Sequence, residues 1–174
     1  VERSRGLGDV YKRQITQERV EATLDELGLK HYRSESDDMT VTAFPSAVCF
    51  FRFDGDMFNI VARWLGTART EEDKQALRRC VNTINRSLPR LRIHPTPWED
   101  DALLAFVDSP FFPNGGAEDE QLKRMLDFYF SMLRYATDAL NEELSELRDD
   151  IARERSAESS TASDASDASD EGAQ

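Results

Sequence analysis

The stretch Ala47–Leu65, AVCFFRFDGDMFNIVARWL, decides the fold. At its centre, Asp54-Gly55 offers the two residues with positive φ that a type I′ turn needs, and apolar or β-branched residues flank it on both sides. With Asp54-Gly55 as the loop, Phe53 faces Asp56, Phe51 faces Phe58, Cys49 faces Ile60 and Ala47 faces Ala62. This side of the hairpin is apolar apart from Asp56, so it is assigned to the core. The other side pairs Arg52 with Met57, Phe50 with Asn59 and Val48 with Val61, and Arg63 extends it. Its composition is mixed, neither that of a solvated face nor that of a buried one. Val48, Phe50, Asn59, Val61 and Arg63 are therefore the candidate partner-binding surface.

Outward from the hairpin, helical and strand signals alternate. Thr16 is placed as an N-cap, with Ile15 and Val20 as a hydrophobic staple. Val20, Leu24 and Leu27 follow at helical spacing, and Gly28 stops the helix. The polar run Ser34–Asp38 leads to a strand over Met39–Phe44, ended by Pro45. After the hairpin, Thr70 and Asp73 form a capping box for a second helix with Ala76, Leu77, Cys80, Val81 and Ile84 along one side. Pro89 terminates it. Strands are predicted over Leu91–His94 and Ala102–Val107, and Pro97 confines the first of these to a sheet edge or a bulge. Phe111-Phe112, between Pro110 and Pro113, is an apolar loop segment with two readings, a lid on the core or a contact patch. The predicted order is α-β-β-β-α-β-β-α, an α+β fold with helices packed on an antiparallel sheet.

The last helix is predicted to run from about Ala117 to Arg153. Leu126, Leu133, Leu140 and Leu147 recur every seven residues, with Phe130, Thr137, Leu144 and Ile151 between them, which is a heptad seam. Such a helix would be about 55 Å long, against a five-stranded sheet only about 20–25 Å wide. It would overhang its own domain. Leu140, Leu144, Leu147 and Ile151 then need a partner, most simply the same helix of a second subunit, giving a homodimer; the alternative is that the overhanging part bends back on the first helix or frays.

Composition narrows the function classes. The 174 residues, at 19.8 kDa, suffice for one well-buried domain, placed over residues 15–155. A net charge of −12 argues against nucleic acid and anionic membranes as partners. No apolar run is long enough for a membrane span, and two scattered cysteines, Cys49 and Cys80, fit buried thiols in a cytoplasmic protein. Residues 156–174 are Ser/Asp-rich and acidic, with repeated Ala-Ser-Asp triplets and no large apolar side chain, a composition of disordered tails. Residues 1–14 lack periodicity. Their GLGDVYKRQ string resembles translated sequencing-adaptor read-through, and the alternative is a disordered native leader.

No catalytic or metal-binding pattern emerges. His94 has Glu99 and Asp100 nearby in sequence but no implied nucleophile, and His31 is placed in a solvated connection. Two distant histidines and two unpaired cysteines make no zinc site, and Asp54-Gly55-Asp56 lacks the ligand spacing of a calcium loop. Phosphate-loop, dinucleotide-binding and nucleophile-elbow motifs are absent from the sequence. No cofactor, metal or enzymatic activity is expected. The one small-ligand alternative is a pocket near Trp98 and His94.

Glu18-Arg19-Val20-Glu21, Leu24-Asp25-Glu26-Leu27-Gly28-Leu29, the strand block ending in Arg63-Trp64, and Asn82-Thr83-Ile84-Asn85-Arg86 occur in the order seen in YbjN-domain proteins. The resemblance spans about Ile15 to Leu147. It implies a fold like that of type III secretion chaperones, and a regulatory domain that usually dimerises and binds polypeptide rather than catalysing a reaction. A non-catalytic, chaperone-like or regulatory homodimer with a protein or peptide partner is the resulting expectation.

Overall fold

Capping chemistry sets the helix starts. The computed structural model describes residues 14–35, 38–54, 57–88, 90–111 and 116–150. Helix α1 (Gln17–Glu26) begins at Thr16, whose side chain accepts from the Arg19 amide, and Gly28 past its end takes φ 70°. Helix α2 (Glu71–Ser87) begins with the predicted box, Thr70 and Asp73 each accepting from the other's backbone N–H. Helix α3 (Asp119–Glu143) begins at Glu118, which forms a similar box with Gln121.

Between the helices run β1 (His31–Arg33), β2 (Thr40–Phe44), β3 (Ala47–Asp54), β4 (Met57–Ala68), β5 (Arg92–Pro97) and β6 (Leu103–Phe111). They form one antiparallel sheet in the order β1-β2-β3-β4-β6-β5. On its inner face Ala47, Cys49, Phe51, Phe58, Ile60, Ala62 and Trp64 are buried. They share one cluster with Val20 and Leu24 of α1, Leu77, Val81 and Ile84 of α2, and Leu122, Leu126, Leu133 and Leu140 of α3. Each such large side chain contributes about 1.5–3 kcal/mol on burial. The α+β class is as expected from the sequence, with helices and sheet in two layers.

Four expectations are corrected. The sheet has six strands, because His31–Arg33, assigned to a solvated connection, pairs with Thr40–Thr42. The hairpin register differs: Asp54 pairs with Met57, Phe53 with Phe58, Phe51 with Ile60 and Cys49 with Ala62. Residues 55–56 lie outside the described residues. The pairing slides by an even number of positions, so every side chain keeps its predicted face.

Pro110 and Phe111 are strand, not loop, pairing with Asn59 and Phe58. The proline is tolerated because β5 pairs β6 only as far as Asp108, so β6 has one neighbour at that end. Phe112 lies outside the described residues.

The last helix stops at Glu143, some 37 Å from its start at 1.5 Å per residue. Leu144 leaves helical geometry, a 3-10 turn covers Ser145–Leu147, and Arg148 bridges to Gly66 in β4. Thr67 donates to Asp149 at 2.7 Å, and Arg63 approaches the same carboxylate at 3.4 Å. Among the described residues, the helix expected to overhang the domain therefore ends within it. Leu140 is fully buried, Leu144 nearly so, and Leu147 packs on the same core. Ile151 lies outside the described residues.

Candidate functional site

The outer face of the sheet is built in rows. Because strand residues alternate sides, register alone places Tyr32, Val41, Phe50, Val61, Asp108 and Arg92 in one line across all six strands. A parallel row joins Ala43, Val48, Arg63, Phe106 and His94. The five residues singled out from the sequence fall on this face: Val48, Phe50, Val61 and Arg63 in the two rows, and Asn59 beside Arg52. All five are half-buried. Tyr32 at one edge is 62% exposed, and Trp98 at the other is 52% exposed with its ring 6.2 Å from that of Phe106. Sequence reasoning missed Tyr32, Val41, Phe106 and Asp108. The alternation in β2 and β6 carried that signal, but it needed the strand order to become a surface.

Charge on this face gathers at the β4–β6–β5 side. His94 Nε2 lies 3.0 Å from Asp108 Oδ2. Burial pushes the Asp108 carboxyl above the usual aspartate range, with His94 acting in the opposite sense. Arg63 reaches Asp149 with one nitrogen, while its buried Nε has no hydrogen-bond partner among the described residues. A histidine beside a carboxylate can relay or hold a proton, but neither cysteine lies here as a nucleophile. Cys49 is buried on the inner face, and burial pushes its thiol up; the same cause, followed by the Glu143 charge, raises that of Cys80. Among the described residues, no group of His, Cys, Asp and Glu could hold a metal ion.

Three clefts lie elsewhere. One of about 450 Å³ separates the β2–β3 turn from the middle of α3, lined by Phe44, Ser46, Phe130 and Arg134 among others. One of about 490 Å³ lies between α2 and α3, and one of about 460 Å³ is lined by Gln17, Asp38, Met39, Arg52 and Phe53. None of the three is lined by Trp98 or His94. No helix among the described residues is long and apolar enough to cross a membrane.

A helix-backed antiparallel sheet of this order, with its other face presented in rows, defines a two-layer α+β domain. Residues 16–142 match the family model of YbjN, described as "putative bacterial sensory transduction regulator". The chain belongs to the YbjN family. Its fold is similar to the crystal structure of YbjN from E. coli, described as "a putative transcription regulator", with a TM-score of 0.62 at 12% identity, over 74% of this chain and 93% of that one. An uncharacterized protein from Methanothermobacter thermautotrophicus is similar over 76% of this chain and 99% of its own, at 15% identity and a TM-score of 0.49. No curated protein sequence matches the chain. The family description is that of a regulator and not of an enzyme.

Proposed function

We propose that this chain is a non-catalytic, chaperone-like regulatory module that holds a polypeptide partner on the outer face of its sheet. One observation carries the proposal: Val48, Phe50 and Val61 form a contiguous half-buried apolar centre, edged by Asn59, Arg63, His94 and Asp108. An apolar centre with a polar rim is the usual anatomy of a protein interface. The apolar patch excludes water from the contact, and the rim groups set its register. Both cysteines are free thiols, which suits a reducing cytoplasm. Self-association through the last helix is not part of this reading, because Leu140 and Leu144 are buried in their own domain and Leu147 packs on the same core. A small-ligand site at Trp98 and His94 is the weaker alternative, since neither residue lines the clefts described.

The test is comparative capture from native cytoplasm with the wild type and a Phe50→Ser/Val61→Thr variant. Both positions are half-buried on the outer face, so the variant keeps its inner core. It is expected to melt within a few degrees of the wild type and to retain at least tenfold less of the specific partner. Equal retention by a folded variant would remove the outer face from the function.

A further inference from the structure

We propose that the arginine-bearing side of α2 docks the chain's own acidic segment, residues 157–174. The proposal is independent of the outer-sheet reading, because it concerns the opposite layer of the molecule. From Lys74 to Trp98 the sequence holds no Asp or Glu, in a chain whose net charge is −12. Arg78, Arg79 and Arg86 project from α2, and Arg90 follows its end; all four are exposed. None of them forms an ion pair among the described residues. Half-buried Arg19 pairs with Asp119, and Arg33 pairs with Glu18 and Glu21. Arg79 and Arg86 are seven residues apart and so share one helix face. Arg90 stacks over Phe128 near the start of α3, with 5.9 Å from its guanidinium carbon to the ring centroid.

Residues 157–174 supply the complement. They contain Glu158, Asp164, Asp167, Asp170 and Glu171, and no Lys or Arg. The chain leaves the described residues beside Arg63 and Thr67, and its remaining length lets this segment reach α2. Helix α3 runs antiparallel to α2, with Phe128 beside Arg90 and Leu144 lining the same cleft as Arg79 and Cys80. After Leu144 the chain turns once and reaches Asp150 next to β4. At ~3.3 Å per extended residue, residues 151–174 span up to about 80 Å, whereas α2 is about 25 Å long. Length is therefore ample. Glu143 lines the α3 side of the cleft, so its charge directs an acidic segment outward onto Arg79 and Arg86. Guanidinium groups match carboxylates in bidentate geometry, and several weak contacts joined by a tether add through effective concentration.

Amide NMR spectra of the full chain and of a variant ending at Ser156 test the proposal. At low salt, the amides of residues 78–92 are expected to differ between the two. The difference should collapse near 0.5 M salt, where screening acts within a few ångströms. A synthetic peptide of residues 157–174 added to the shortened chain should restore the full-length positions, and its affinity should fall on the order of tenfold over the same salt range. In a folded Arg79→Glu/Arg86→Glu/Arg90→Glu chain, removal of 157–174 should change nothing in this region. Coincident spectra of the two wild-type-sequence forms at low salt would overturn the proposal. So would differences that persist in the triple variant. An acidic peptide of unrelated sequence that binds residues 78–92, while truncation leaves them unmoved, would assign the surface to a foreign partner and overturn the proposed occupant.

Discussion

Trp64 shows how one side chain ties sheet to helix. Among the described residues it is the largest fully buried side chain, and its Nε1–H donates to Asn141 Oδ1 at 2.9 Å, whose amide in turn donates to Ser46 Oγ at 2.9 Å. The chain can fold over this indole only where no side chain intervenes. A Cβ on Gly66 would overlap three ring carbons of Trp64, and here the β4–β6 register shifts, between Arg63 and Thr67. Gly66 is thus required by close approach, and the bulge aims Thr67 at Asp149. Gly66→Ala is expected to cost about 1–3 kcal/mol by overpacking, read as a lower urea midpoint with unchanged slope. A neutral result would show that the ring moves freely. At a separate 3-10 turn, Glu99–Asp101, between β5 and β6, Asp100 and Asp101 both take positive φ, near 54° and 58°. The Asp101 carboxylate receives a 2.6 Å bond from buried Lys74, which holds its pKa below the ordinary value.

At the scale of elements, β1 and the end of α3 are set by tertiary contacts. Arg33 binds Glu21 and Glu18 on α1, and hydrogen bonds from Arg33 pull the Glu21 carboxyl below its ordinary range. Glu18 is lowered too, first by its backbone hydrogen bond and then by Thr16 and Arg33. His31 sits 3.1 Å from Asp25 on the same helix. Groups with lowered folded pKa values stabilise above their ordinary value of 4.5 and lose that contribution as pH falls through the folded one. Arg33→Met should therefore speed amide exchange in His31–Arg33 several-fold at neutral pH, and the gap from wild type should close below about pH 4. A gap unchanged down to pH 3 would contradict this anchoring.

Leu140 makes a sharper distinction. It is fully buried in its own domain, so Leu140→Glu is expected to lower stability by more than about 4 kcal/mol. Thermal melting should show an unfolded or barely folded chain. A folded variant with only its oligomeric state changed would restore the heptad account.

These elements also show what the sequence could and could not reveal. Thr16, Gly28 and the Thr70/Asp73 box were readable because capping is local chemistry. The two faces of β3 and β4 were readable because alternation survives an even shift in register. The loop position was not, since Asp54-Gly55 and Gly55-Asp56 both suit a tight turn. Strand β1, three polar residues, owes its existence to Arg33 and to Thr42 bonding the Lys30 carbonyl, contacts invisible to periodicity. The end of α3 carries no Gly or Pro; Leu144 and Leu147 turn because the core and Gly66 lie there.

At the scale of the whole molecule, the asymmetry of the two sheet faces is the main feature. The helices all bury their apolar sides against the inner face, and the family match over residues 16–142 extends through nearly all of this architecture. The outer rows cross all six strands from Tyr32 to Arg92, with Val48, Phe50, Val61, Arg63, Phe106 and Asp108 half-buried at their centre. Their candidate residues were visible in the hairpin, but the rows needed β1, β2, β5 and β6 in place.

The most direct test puts a photo-crosslinking phenylalanine analogue at Phe50, in the middle of the outer face, and at Phe128, 45% exposed on α3, as a control. Irradiated in native cytoplasm, the Phe50 probe is expected to give a discrete adduct that Val61→Thr weakens, and the Phe128 probe none of that mass. No adduct at Phe50, or the same adduct from both positions, would contradict the claim that the outer sheet face holds the partner.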